Sequence, residues 1–158
     1  MIRQFRDDEK AVSVSVGFVL TLSITVITMV VVISSFYTMM DRAEQTVMRD
    51  EFEIHGNDMA LQISNIDTAV QISRNAGGEV GSFFFILPLP DEIAGQQYSV
   101  ELSNQTNEII FESHGKYATR VKVPYKVHET EVESVKLYSG SNEFILHYDP
   151  ASNMIRID

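Results

Sequence analysis

Residues 11–40 read AVSVSVGFVLTLSITVITMVVVISSFYTMM, thirty consecutive positions without a formal charge. RDDEK precedes them and DRAEQTVMRDE follows, so the run is sharply bounded on both sides. At 1.5 Å per residue a helix of this length is about 45 Å long, against a hydrocarbon core of about 30 Å. The remaining 118 residues after Met40 are too few to surround a helix that is apolar on every face. The segment is therefore expected to be a transmembrane or fibre-core helix.

The flanks differ from those of a cleaved secretory signal, which pairs a basic start with an apolar core of about 7–15 residues and a small-residue exit. Arg3, Arg6 and Lys10 are balanced by Asp7, Asp8 and Glu9. Positive-inside counting places this leader on the cytoplasmic side and the chain beyond about residue 41 outside. A formal charge of -10 disfavours nucleic acid as a partner and favours solubility of the exposed part. The absence of Cys removes disulfides, thiol catalysis and zinc–thiolate sites together.

Beyond the apolar run, Met48, Phe52, Met59, Ile63, Ile66 and Val70 recur at steps of three, four and seven, which predicts one dry stripe on a continuing helix over 41–73. Acids such as Asp50, Glu53 and Asp67 are expected to face water. Asp41 and Glu44 resemble a capping box and mark a candidate kink, and Gly56, costing about 1 kcal/mol relative to Ala, marks a candidate bend. Gly77, Gly78 and Gly81 make the clear break.

After that break SFFFILPLP reads as an apolar strand ended by prolines. QYSVELS, NEIIFES, TRVKVPYKV, ESVKLYS, EFILHYD and NMIRI follow as further strands, separated by SNQT, HGKYA, HETE, SGSN and DPAS. Alternation in Tyr98, Val100, Leu102 and in Val121, Val123, Tyr125, Val127 gives one buried and one wet face, and Pro124 belongs at an edge or bulge. The fold class is α+β: a long N-terminal helix, then a small antiparallel β-sheet or β-sandwich head against which the distal stripe packs. The expected divisions are 1–11 leader, 12–40 membrane or filament-core helix, 41–76 distal amphipathic helix and break, and 77–158 extracytoplasmic head.

Motifs for chemistry are missing. His55, His114, His128 and His147 lie far apart without a ligand-pair spacing, and no nucleophile elbow, P-loop or dinucleotide glycine pattern occurs. The reading is of a protein that is not an enzyme and takes no cofactor or metal. Asn104-Gln105-Thr106 is a glycosylation sequon placed between two strands.

The stretch DDEKAVSVSVGFVLTLSITVITMVVVI resembles the N-terminus of archaeal type IV pilins and archaellins, above all haloarchaeal pilin-like proteins. The likeness covers residues 7–36 and continues more weakly through RDEFEIHGNDMALQI, residues 49–63. It implies removal of the leader by a prepilin peptidase, with Glu9 and Lys10 as the charged pair, Ala11 as the small residue and Val12 as the new N-terminus. It further implies an assembly helix beginning around Val16, Gly17, Phe18, Leu22 and Val26. The family's S-P-V-I-G pattern is here Ser13, Val14, Ser15, Val16, Gly17, without the proline. The partners so implied are the lipid bilayer, the peptidase, other pilin-like subunits and the pilus assembly machinery. Two readings stand together: a major or minor filament subunit, and a single-pass anchored accessory or receptor-like protein that does not polymerise.

Overall fold

The computed structural model describes residues 2–115, 118–140 and 143–158, with side chains from Ser15 onward. Helix α1 runs from Ile2–Asn75. Eight strands follow: β1 (Phe83–Leu87), β2 (Tyr98–Ser103), β3 (Glu108–Ser113), β4 (Arg120–Pro124), β5 (Glu131–Val132), β6 (Val135–Tyr138), β7 (Phe144–Asp149) and β8 (Met154–Ile157). Two compact units divide the chain at Ala43 and Glu44, and the second unit holds the distal part of α1 with all the strands.

The α+β class expected from the sequence is the class observed. The strands form two four-stranded sheets, in the orders β1-β7-β8-β5 and β4-β3-β2-β6. β5 and β6 are only two residues apart yet end different sheets, so the chain switches sheet at Glu133 and Ser134. HETE, expected as a separator, supplies the first residue of β5, which pairs with β8 in parallel while the other ladders are antiparallel. Two residues are too short a run for periodicity to reveal.

The predicted stripe on α1 is the helical side of the core. Met48, Phe52, Met59, Ile63, Ile66 and Val70 are all buried, together with Tyr98, Val100, Leu102, Ile109, Phe111, Val121, Val123 and Tyr125 from the second sheet and Leu146, Tyr148, Ile155 and Ile157 from the first. Phe52 sits 5.5 Å from the ring of Tyr98 and 5.3 Å from that of Phe111, a tilted arrangement that aromatic quadrupoles favour. Tyr98 donates its hydroxyl to the Pro90 carbonyl at 2.5 Å, which satisfies its polar end. Burial, with the charge of Asp91 added, pushes the Tyr98 pKa up to about 12.

Neither candidate break in α1 interrupts it: the helix is continuous through Asp41, Glu44 and Gly56. Gly56 serves a different purpose. A Cβ there would lie 2.6 Å from Cγ2 of Val123 and 3.6 Å from Phe111, so the missing side chain is what lets the helix approach β4 and β3. The helix ends in a Schellman motif, with Gly77 at φ 70°, its N–H donating to Arg74 and the N–H of Gly78 to Ser73.

Pro124 lies on an edge strand, as expected. The bonds from Tyr125 N–H to the Asn107 carbonyl and from Ser113 N–H to the Thr119 carbonyl set the alternation of the β3–β4 ladder. Odd positions of β4 therefore bond to β3, and Pro124 turns its missing donor to the open edge, where it breaks no ladder bond. β1 is also an edge strand, with Phe84 and Ile86 facing solvent.

Candidate functional site

From Ser15 to Met40 every side chain of α1 is exposed, although the segment is uncharged throughout. Val16, Phe18, Leu22 and Val26, marked as assembly positions by the resemblance, all lie on this surface, and nothing within 4 Å would obstruct a Cβ at Gly17. This is the one described helix long and apolar enough to cross a membrane. Six of the hydroxyls on it are turned inward on the helix itself: Thr21 donates to the Gly17 carbonyl at 2.9 Å, Ser23 to Val19 at 2.8 Å and Thr25 to Thr21 at 2.9 Å. Thr28, Ser35 and Thr38 repeat the pattern toward Ile24, Val31 and Ser34. Each bond hides a donor that would otherwise cost about 2 kcal/mol or more in apolar surroundings. The surface is chemically suited to contact with lipid or with another apolar helix.

Glu9, Lys10, Ala11 and Val12 lie outside the residues whose side chains are described. Asn104 is exposed in the four-residue loop between β2 and β3, which closes through Asn107 at φ 54°. The Ser134 hydroxyl donates to Asn104 Oδ1 at 2.8 Å and receives the Asn104 N–H at 2.9 Å, which fixes the loop without covering it.

Asp67 is where the structure departs furthest from the reading of the sequence. Expected in water, it is only 4 % exposed. Its Oδ2 accepts the His128 N–H at 2.8 Å, and its Oδ1 accepts the N–H groups of Glu129 and Thr130 and the Thr130 hydroxyl, each at 2.9 Å. Burial pushes its pKa up, but these four hydrogen bonds to the charged form outweigh that and hold it below the ordinary carboxylate value. Two turns further on, Arg74 donates to the Glu129 carbonyl at 3.3 Å and to Asn153 Oδ1 at 2.8 Å, and Asn153 returns its amide to the Glu129 carbonyl at 2.8 Å. The end of α1 is thereby tied to the 128–131 loop and to the turn before β8. The available signal was position: Asp67 follows Ile63 by four residues, on the border of the dry stripe.

Among the described residues no three His, Asp or Glu side chains gather as a metal-holding group. A cleft of about 290 Å³ runs between α1 and the open edge of β4, and another of about 330 Å³ lies beside Tyr125 and Thr130.

Residues 7–158 match the model of DUF7266, a family of unknown function, and the chain belongs to that family. No curated protein and no solved structure matches the chain.

Proposed function

We propose that this family member is a pilin-like structural subunit, major or minor, of an archaeal type IV pilus-type filament. Its N-terminal helix holds it in the membrane before assembly and polymerises afterwards, while its β-rich head faces solvent. The carrying observation is the uncharged, wholly exposed surface from Ser15 to Met40, on which six Ser and Thr hydroxyls bond within their own helix. A long apolar helix with a β head is compatible with a pilin-like or a membrane-anchored protein. In a bilayer the surface meets acyl chains, and in a filament it meets copies of itself, so one sequence serves both settings. Processing between Ala11 and Val12 removes the leader, whose six charges are costly in either setting. The role is structural and calls for no catalytic step.

Shearing surface filaments from native cells and analysing them by intact-mass spectrometry and immunogold microscopy tests the proposal. The expected result is a chain that begins at Val12, present at regular intervals for a major subunit or sparsely for a minor one. A processed chain found only as a membrane-bound monomer, or in a complex that forms no filament, would assign it instead to the anchored accessory class.

A further inference from the structure

The two sheets of the second unit end in edges of opposite character. β5 and β6 end their sheets where the chain crosses at Glu133 and Ser134, so β1 and β4 are the two terminal strands away from that crossing. Ile145 and Asp158 exchange N–H to carbonyl bonds at 2.9 and 3.1 Å, so odd positions of β7 bond to β8 and even positions to Phe83, Phe85 and Leu87 of β1. Phe84 and Ile86 therefore turn their backbone N–H and carbonyl groups to the open edge of β1, as Arg120 and Lys122 do on β4.

The edge of β1 lacks the usual protection against pairing. Its residues FFFIL carry no charge and no proline, and Phe84 and Ile86 are 73 % and 62 % exposed. Phe85 shares the core side of the strand with buried Leu87, yet is 37 % exposed, because no strand lies beyond it. Charge selects the occupant. Around β1, residues 79–92 hold Glu79, Asp91 and Glu92 and no base; around β4, residues 118–127 hold Arg120, Lys122 and Lys126 and no acid, and all six are exposed. In a chain of net charge -10 an edge bearing only bases is the exception. Two β1 strands paired antiparallel about Phe85 would bring Glu79 of each toward Asp91 of the other, and two β4 strands would set base against base. β1 against β4 sets acids toward bases.

We infer that β1 of one copy adds as an antiparallel strand to the open edge of β4 of another, a pairing of heads that goes beyond the filament reading and draws on the second unit alone. In the register that centres the two strands, Phe84 lies opposite Lys122 and Ile86 opposite Arg120, so both open pairs close their backbone hydrogen bonds. Pro124, which lacks a donor, then falls beyond the ladder opposite Ser82, and Glu79 comes beside Lys126. Phe84 and Ile86 meet the alkyl stems of Lys122 and Arg120 on the outer face. On the core side Phe85 falls opposite Val121, where the cleft of about 290 Å³ between α1 and β4 leaves room for its ring. The two edges differ, so the contact is head-to-tail, and each copy keeps a free edge for the next. One short ladder falls below the about 800 Å² per partner of a stable free complex, so the pairing forms among copies already held close together.

Because the chain has no Cys, engineered thiols report the pairing cleanly. Phe84→Cys on a size-tagged full-length copy is co-expressed in the native cell with Lys122→Cys on an untagged copy, and isolated membranes and filaments are then oxidised. Opposed residues of this kind in a ladder have Cα atoms about 5.5 Å apart, within disulfide reach. The mixed pair is expected to cross-link tenfold or more above either variant with itself. Failure of the mixed pair, or self-pairing of Phe84→Cys as strong as the mixed product, overturns the inference; filaments that contain the chain in that case leave the filament reading standing. A mixed product formed where the chain enters no filament upholds the inference and counts against the filament reading. As a second readout, Ile86→Pro removes a donor that points to the open edge and breaks no bond within its own copy, and is expected to lose most of the mixed product. Unchanged cross-linking in Ile86→Pro would show contact without strand addition and overturn the inference.

Discussion

Thr130 holds Asp67 twice, its backbone N–H and its hydroxyl both donating to the same carboxylate oxygen at 2.9 Å. With His128 and Glu129 these bonds join α1 to a loop more than sixty residues later in the chain, and they make a buried carboxylate the fastening of the helix to the head. Replacing Asp67 by Ala leaves three backbone donors unmet, and is expected to destabilise the full chain in detergent by about 3 kcal/mol in urea unfolding at neutral pH. The folded pKa lies below the ordinary value, so the stabilisation is present above about pH 4 and is lost as pH falls through the folded value. Stability of the wild type should fall in that acid range by more than that of Asp67→Ala. Equal acid sensitivity of the two would refute the assignment.

Gly56→Ala is expected to destabilise by about 1–2 kcal/mol, even though Ala favours helix by about 1 kcal/mol. The added methyl would stand 2.6 Å from Val123 Cγ2, a branched side chain already held between helix and strand. Val123→Ala should recover much of that loss in a double-mutant cycle, since it removes the atom in conflict. Strict additivity of the two substitutions would show that the close approach is not what Gly56 provides.

The Tyr98 hydroxyl is buried against the Pro90 carbonyl, and Asp91 adds its negative charge. An acid whose folded pKa is raised contributes stability in full below its unfolded value, near pH 10, and loses it as pH rises toward about 12. Titration of phenolate absorbance should therefore show one tyrosine ionising about two units late, and Tyr98→Phe should delete that step. If the late step survives in Tyr98→Phe, the late phenol is not Tyr98, and burial beside Asp91 is not what delays it.

Val26→Asp places a carboxylate in the middle of the uncharged run, where it costs about 3 kcal/mol at the centre of a bilayer. Both membrane residence, read by fractionation, and assembly, read by filament yield, should drop at least several-fold. Unchanged residence for Val26→Asp would move the spanning segment elsewhere.

Asn104 is exposed in the β2–β3 loop, with the Ser134 hydroxyl donating to its Oδ1. Glycopeptide mass spectrometry of the native protein is expected to find sugar on Asn104, and Asn104→Gln should abolish it without changing the thermal unfolding of the head. An unmodified Asn104 at full occupancy would remove the sequon from the functional account.

The sequence by itself determined the long helix, its dry stripe and most of the strands, because each rests on local periodicity. Six apolar residues at helical spacing find the same face whatever packs on it, and alternation in Tyr98, Val100 and Leu102 sets which side of β2 is inside. Pro124 announced an edge because its missing donor is a property of the residue alone. The tertiary structure decided what depends on a partner distant in the chain. Asp67 became a buried anchor only because the amides of 128–130 arrive beside it, and Gly56 became a contact point only because Val123 does. The division into two sheets hangs on β5, two residues whose pairing with β8 no local pattern encodes. Hydrophobic period says which residues share a side of an element, and packing alone says which side is left bare.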